Sequence, residues 1–240
     1  MSAPSKRLKL AAVSRPVRMH AVLFDLYETL VSELSVPVRR ASSLATQLGV
    51  DEAAYKREWK SRRPEILLGR YTFQEALALI RDKLGSRVDL AVLEQLRAER
   101  AAEKTTVLGR VEPDVLATVA ELRRRGVKLA LVTNCLPEDV EGWERSPLHS
   151  FFTVAVFSHA VGLMKPDPAI YLATCRELDV TPRHALFVGD GTNEVAGARA
   201  AGLEAVRALW FASKWPNTTI RADETGLWRV GAVLDFASAA

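Results

Sequence analysis

Very little in this chain suggests covalent or metal stapling. Cys135 and Cys175 are the only cysteines in 240 residues, and their spacing matches no metal-ligand pattern. A disulfide-built fold is excluded, and two isolated thiols suit a reducing, cytoplasmic compartment. No stretch approaches the roughly 20 apolar residues that a membrane span needs, so no membrane partner is expected. Repeats and low-complexity linkers are absent. The first eighteen residues carry Lys6, Arg7, Lys9, Arg15 and Arg18 and no acid, yet lack the continuous apolar segment of a signal peptide. Residues 1–19 read as a flexible basic extension. Its five positive charges account for the formal net charge of +4. The remainder is near neutral, and no nucleic-acid partner is implied.

Hydrophobic residues make up 48% and charged residues 26%, the balance of an ordinary globular protein. The length allows one domain, or one domain with a sizeable insertion. Strand-like apolar runs recur at 21–24, 129–132, 154–157, 185–188 and 205–209. Helical patterns over 115–125, 169–178 and 194–201 separate most of them. This alternation predicts an α/β fold: a Rossmann-like parallel sheet flanked by helices. Between Val31 and Thr106 no convincing β-run occurs. Helix-like segments fill 37–49, 52–62, 72–84 and 89–104, and Thr72-Phe73-Gln74-Glu75 reads as a capping box. The expected organisation is a core of residues 20–32 and 105–240 with a helical insertion over 33–104.

Four strands end in polar residues. Ala21-Val22-Leu23-Phe24 delivers Asp25, a carboxylate at the edge where doubly wound sheets bind ligands. Such an aspartate can attack an electrophile, or simply end a strand in a turn. Leu129 to Val132 delivers Thr133 and Asn134, whose hydroxyl and amide can donate to an anionic oxygen or form a plain turn. Lys165, between Met164 and Pro166, can neutralise an anion or sit in solvent like most lysines. Phe187-Val188-Gly189 delivers Asp190, with Glu194 four residues on. Hard oxygens suit Mg²⁺, while an Asp-Gly turn before a helix with an acid in its first turn is equally ordinary.

Taken together and in this order, the segments resemble the haloacid dehalogenase-like hydrolase superfamily from about Ala21 to Leu209. Motif one is Asp25-Leu26-Tyr27-Glu28-Thr29, motif two Thr133, motif three Lys165, and motif four Gly189-Asp190 with Glu194. The resemblance implies Asp25 as nucleophile, and Thr133 and Lys165 as holders of the anionic group. It further implies Mg²⁺ bound by Asp25, the Tyr27 carbonyl, Asp190 and Glu194, and a helical cap of the first type. Thr29 and Asn134, with Arg62 and Arg63 from the basic first half of the insertion (Arg39, Arg40, Lys56, Arg57, Lys60, Arg62, Arg63, Arg70), are the expected substrate-binding residues. The substrate class is a small anionic molecule, and assembly as a homodimer is compatible with this reading.

Tyr27 departs from the pattern. Phosphatases resembling this chain carry a second Asp there, which protonates the leaving group. A tyrosine, with an ordinary pKa of about 10, is a poor base at neutral pH. Tyr at this position resembles 2-haloacid dehalogenases, which lack the Gly-Asp of motif four. Three readings follow: a Mg²⁺-dependent phosphatase, favoured by motif four; a dehalogenase-type hydrolase acting at carbon; and a catalytically weak binding protein.

Overall fold

β1 (Ala21–Phe24) lies at the centre of a five-stranded, wholly parallel sheet of order β3-β2-β1-β4-β5. Its neighbours are β2 (Lys128–Thr133) and β4 (Ala185–Gly189); β3 (Val154–Phe157) and β5 (Glu204–Arg207) form the edges. A strand covered on both faces must be apolar throughout, and all four residues of β1 are fully buried. The computed structural model describes residues 19–35, 41–211, 214 and 226–238. The basic extension up to Arg18, and Arg39 and Arg40, lie outside the described residues.

The period-two alternation of strands sorts the core into two layers. Val22, Phe24, Leu129, Leu131, Leu186 and Val188 face one side with Val115, Val119 and Leu122 of α5 (Pro113–Arg124). Ala21, Leu23, Ala130, Val132, Ala185 and Phe187 face the other. There they meet Ile170, Tyr171 and Cys175 of α8 (Pro168–Glu177) and Val195 and Ala198 of α9 (Thr192–Ala200). Short helical turns α6 (Pro137–Val140) and α7 (Ser158–Val161) follow β2 and β3, and α10 (Val233–Ser238) ends the described chain. The last strand is shorter than its apolar run suggests. The Ala208 N–H still donates to the Gly189 carbonyl of β4 at 2.8 Å, and Ala208 also bridges to Leu227.

Among the described residues, the segment between β1 and α5 contains no regular strand. It is built from α1 (Ala41–Gln47), α2 (Glu52–Leu67), α3 (Phe73–Lys83) and α4 (Leu90–Gly109). Asp51 caps α2 by accepting from the Ala54 N–H at 2.8 Å. The capping box of α3 is present: Thr72 Oγ1 accepts from the Glu75 N–H, and the Glu75 carboxylate accepts from the Thr72 N–H at 2.8 Å. Two helices outrun their expected ends. α2 continues past Arg62 and through Pro64 because Ile66 and Leu67 are buried in the insertion's own core, with Tyr55, Phe73, Leu77, Ile80, Leu93 and Leu96. That burial outweighs the penalty for an interior proline. α4 runs past residue 104, and Val107 and Leu108 in its last turn join the sheet core. One continuous helix therefore belongs to both cores.

A glycine fixes how α9 meets the loop that carries Lys165. A Cβ at Gly197 would run into the Pro166 carbonyl oxygen. Ala exceeds Gly in helix propensity by about 1 kcal/mol, but overpacking costs about 1–3 kcal/mol, and a carbonyl is no flexible side-chain tip. Gly197→Ala is expected to lose about 1–2 kcal/mol in urea denaturation, and a more stable variant would contradict this packing.

Candidate active site

Parallel strands bring their carboxyl ends to one edge, so residues far apart in sequence meet there. Asp25 follows β1, its N–H donating to the Val188 carbonyl at 2.9 Å. The chain then turns sharply: Glu28 adopts φ +56°, and the Leu26 carbonyl accepts from the N–H groups of Leu30 and Val31. Asp190 follows β4, where Gly189 packs so near that a Cβ there would lie 3.3 Å from Asp25 Cβ. Glu194 sits in the first turn of α9. Carboxylate oxygens of Asp25, Asp190 and Glu194 lie within 4.8 Å of one another.

Lys165 enters this cluster and is only 2% exposed. Its Nζ donates to Asp25 Oδ1 at 2.5 Å and to Glu194 Oε2 at 2.9 Å. The loop is fixed by Asn134, whose Nδ2 donates to the Lys165 carbonyl and whose Oδ1 accepts from the Lys165 N–H, both at 2.8 Å. Thr133, the last residue of β2, is buried on the same edge. Arg207 Nε donates to the Asp190 carbonyl at 2.6 Å, and Tyr171 Oη to the Glu194 carbonyl at 2.7 Å.

The electrostatics follow from burying three acids with one base. Burial, reinforced by Asp25 and Glu194, pushes the Asp190 carboxyl up to about 7. Burial also raises Glu194, with Lys165 pulling the other way. For Lys165 burial opposes the charge, but Asp25 and Glu194 outweigh it and raise its pKa. Three hard-oxygen ligands around one ammonium leave excess negative charge, which a divalent cation would relieve. The donor set therefore fits Mg²⁺.

Tyr27 is placed differently from a proton-transfer group. Its hydroxyl donates to the Asp139 carbonyl at 2.5 Å, and Lys104 Nζ lies 4.2 Å from its ring centre. Burial first, then Asp139 and Glu33, raise its pKa well above the ordinary value. Glu28 is no substitute, since its oxygens accept from Ser32 Oγ and the Glu33 N–H.

The expected substrate-binding residues separate. Arg63 lines a cavity of about 330 Å³ beside Tyr27 and Asn134, and its charge lowers the pKa of Glu194. Arg62 does not line it; its guanidinium pairs with Glu58, which also holds Lys83. Thr29 is fully buried, its carbonyl accepting from Trp210 Nε1. Asn134 spends its amide on the Lys165 backbone, as a positioning residue.

A buried polar lattice was missed in the sequence. Arg100 donates to Asp139 Oδ1 at 2.5 Å, Asp139 Oδ2 accepts from the Leu136 N–H, and Lys104 pairs with Glu33. Its signal is helical spacing: 93, 96, 100 and 104 fall on one face of α4, with two leucines followed by two cations. Charges continuing a buried stripe mark paired groups.

The sequence matches the description "haloacid dehalogenase-like hydrolase" over residues 19–202. It is 32% identical over 222 residues to a phosphoserine phosphatase of Thermus thermophilus, covering 80% of this chain and 88% of that protein. A glyceraldehyde 3-phosphate phosphatase of Methanopyrus kandleri is 40% identical over 99 residues, which is 40% of this chain and 42% of that enzyme's length. A HAD family enzyme from Bacteroides thetaiotaomicron, solved with magnesium and inorganic phosphate, superposes with a TM-score of 0.62 at 16% identity, covering 85% of this chain and 98% of that one. At that identity the likeness speaks to the fold. No helix among the described residues is long and apolar enough to cross a membrane.

Proposed function

The chain belongs to the haloacid dehalogenase-like hydrolase family, and from that premise we propose that it is a Mg²⁺-dependent phosphatase of a small anionic phosphomonoester. The observation that carries this reading is the convergence of Asp25, Asp190 and Glu194 within 4.8 Å around a buried lysine. A halide leaving group needs no cation, so Asp190 and Glu194 beside the nucleophile favour phosphoryl chemistry. Asp25, Asp190 and Glu194, with the Tyr27 carbonyl, would hold the ion. When bound, Mg²⁺ offsets charge on the phosphoryl oxygens and orients the group.

The chain's own residues perform the transfer. Lys165 holds one oxygen of Asp25, leaving the other to attack phosphorus. The Asp25 O–P bond forms as the bond from phosphorus to the leaving oxygen breaks. The Lys165 ammonium and the Thr133 hydroxyl stabilise the transferring group. Water then cleaves the acyl phosphate, releasing orthophosphate and restoring Asp25. Two free cysteines are in keeping with a cytoplasmic enzyme. Tyr27 favours a second reading, hydrolysis at carbon, because its hydroxyl is bonded to a carbonyl and protonates no leaving group.

The deciding experiment compares p-nitrophenyl phosphate turnover, with Mg²⁺ and with EDTA, against halide release from 2-chloropropionate. Phosphate release that requires Mg²⁺ is expected. Activity unchanged in EDTA, or halide release alone, would overturn the proposal.

The raised carboxyl of Asp190 gives this metal dependence a sign. Folded Asp190 binds its proton up to about 7, against 3.8 ordinarily. The folded state thus holds an extra proton between these values, and metal-free stability falls as pH rises through that window. Metal binding needs the carboxylate. The apparent Kd for Mg²⁺, measured by titration calorimetry, should weaken by up to about tenfold per pH unit below 7. A Kd independent of pH from 5 to 8 would contradict a raised Asp190 carboxyl at the metal site.

A further inference from the structure

The cavity of about 330 Å³ opens beside the loops that follow β1 and β2. Tyr27 and Asn134, two residues after Asp25 and one after Thr133, form its near wall, and helices of the insertion form the far wall. At about 30 Å³ per water molecule, the space corresponds to about ten waters, which suits a small leaving group rather than a single structural water. Charged lining residues are Arg63, Arg100, Lys104, Glu33 and Asp139, three cations against two carboxylates. Lys104 is held by Glu33 and Arg100 by Asp139, so the surplus positive charge of the lining is that of Arg63.

Two donors on the far wall lack partners. Tyr55 is 1% exposed, and its hydroxyl has no hydrogen-bond partner among the described residues. Arg100 uses its terminal nitrogen on Asp139, but its buried Nε is likewise unpartnered. Leaving a buried donor unsatisfied is costly, and native proteins seldom do so without a ligand or function at the site. Both side chains line the cavity, and the charge of Arg100 pulls back the rise that burial imposes on the Tyr55 hydroxyl. The hydroxyl remains a donor throughout the physiological range. Trp59 stacks on Tyr55, with ring centres 6.2 Å apart, and stiffens this wall.

We infer that Tyr55 Oη and Arg100 Nε form a subsite for a carboxylate on the leaving group, so that the substrate is a small phosphorylated hydroxy acid. This rests on reading the Asp25 cluster as the phosphoryl site. A carboxylate supplies two acceptor oxygens for two donors and one negative charge for the surplus positive one. A neutral alcohol would match neither, and buried hydrogen bonds to charged groups discriminate most strongly.

The test uses an isosteric pair, O-phosphorylated 3-hydroxypropionate and O-phosphorylated 3-hydroxypropanamide, in the full chain with Mg²⁺. Wild type is expected to favour the acid over the amide in kcat/KM by about tenfold to a hundredfold. Tyr55→Phe, which keeps the ring, and Arg100→Lys, which keeps the charge opposite Asp139 but removes Nε, should each cut that ratio at least about tenfold. A ratio near one in wild type, or a ratio unchanged in both variants, would overturn the subsite. Tm measured in excess 3-hydroxypropionate or 3-hydroxypropanamide separates it from the phosphatase reading. A rise with the acid only, lost in Tyr55→Phe, upholds the subsite even if neither ester is hydrolysed, and phosphatase chemistry alone then fails. Hydrolysis without preference and without a Tm rise leaves the phosphatase and removes the subsite. Neither hydrolysis nor a Tm rise removes both.

Discussion

Asp25→Asn is expected to reduce turnover of p-nitrophenyl phosphate by about 10⁴–10⁶-fold, the scale on which removal of a covalent nucleophile is felt. The amide is near-isosteric, so packing against Gly189 and the end of β1 should survive. What changes is charge: the Lys165 ammonium loses a partner at 2.5 Å and keeps Glu194 at 2.9 Å. A readout independent of turnover distinguishes lost chemistry from lost structure. Asp25 is one of the charges that raise the Asp190 carboxyl to about 7, so in metal-free Asp25→Asn that carboxyl should titrate lower by carbon-detected NMR. With a phosphate ester made chiral at phosphorus by oxygen isotopes, wild type should release phosphate with retained configuration, because transfer to Asp25 and then to water each inverts it. Near-normal activity in the variant, or net inversion at phosphorus in wild type, would end the covalent proposal.

Tyr27→Asp is expected to act in the opposite direction, raising turnover of an alkyl phosphate by about 10²-fold. General acid–base groups contribute about 10²–10⁴-fold, and the lower end applies here for a structural reason. The new carboxyl would lie beneath Lys104, which sits 4.2 Å from the Tyr27 ring centre, and near Arg100 on Asp139. Positive charge there favours the carboxylate over the acid that protonates a leaving oxygen. Wild type, with its hydroxyl bonded to the Asp139 carbonyl, should prefer leaving groups that need no proton, such as p-nitrophenolate. Kinetics of both proteins on an alkyl phosphate, p-nitrophenyl phosphate and 2-chloropropionate give distinct outcomes. A gain confined to the alkyl phosphate supports the phosphatase. A fall in halide release beside inert phosphates identifies chemistry at carbon. No activity in either protein identifies a binding protein.

Much of the fold was legible because a parallel sheet writes itself plainly. Strands buried on both faces must be unbroken apolar runs, and Ala21–Phe24 coincides with its run, as does the half-buried edge strand Val154–Phe157. Chain direction then places Asp25, Thr133 and Asp190 at one edge, because every strand in such a sheet points the same way. The capping box at Thr72 was equally readable, since its partners are three residues apart. The local pattern ends α2 near Arg62, whereas burial of Ile66 and Leu67 carries it on through Pro64.

What local windows could not supply is everything that depends on which face meets which. Arg62 and Arg63 are adjacent in sequence and equivalent in composition. Helical rotation sends one to Glu58 and the other to the cavity. Arg100 and Asp139, 39 residues apart, become partners only when α4 packs beside α6, and Tyr27 and Asp139, 112 apart, only when β1 pairs with β2. The amino-acid sequence by itself determined the sheet, the order of its polar strand ends and the helical insertion, because periodicity and strand direction are local or directional properties. Tertiary structure alone decided that Lys165 bridges two acids, that Tyr27 is bonded to a carbonyl, and that Tyr55 and Arg100 face the cavity as donors. Those outcomes depend on burial and on contact between distant segments, which exist only once the chain has closed on itself.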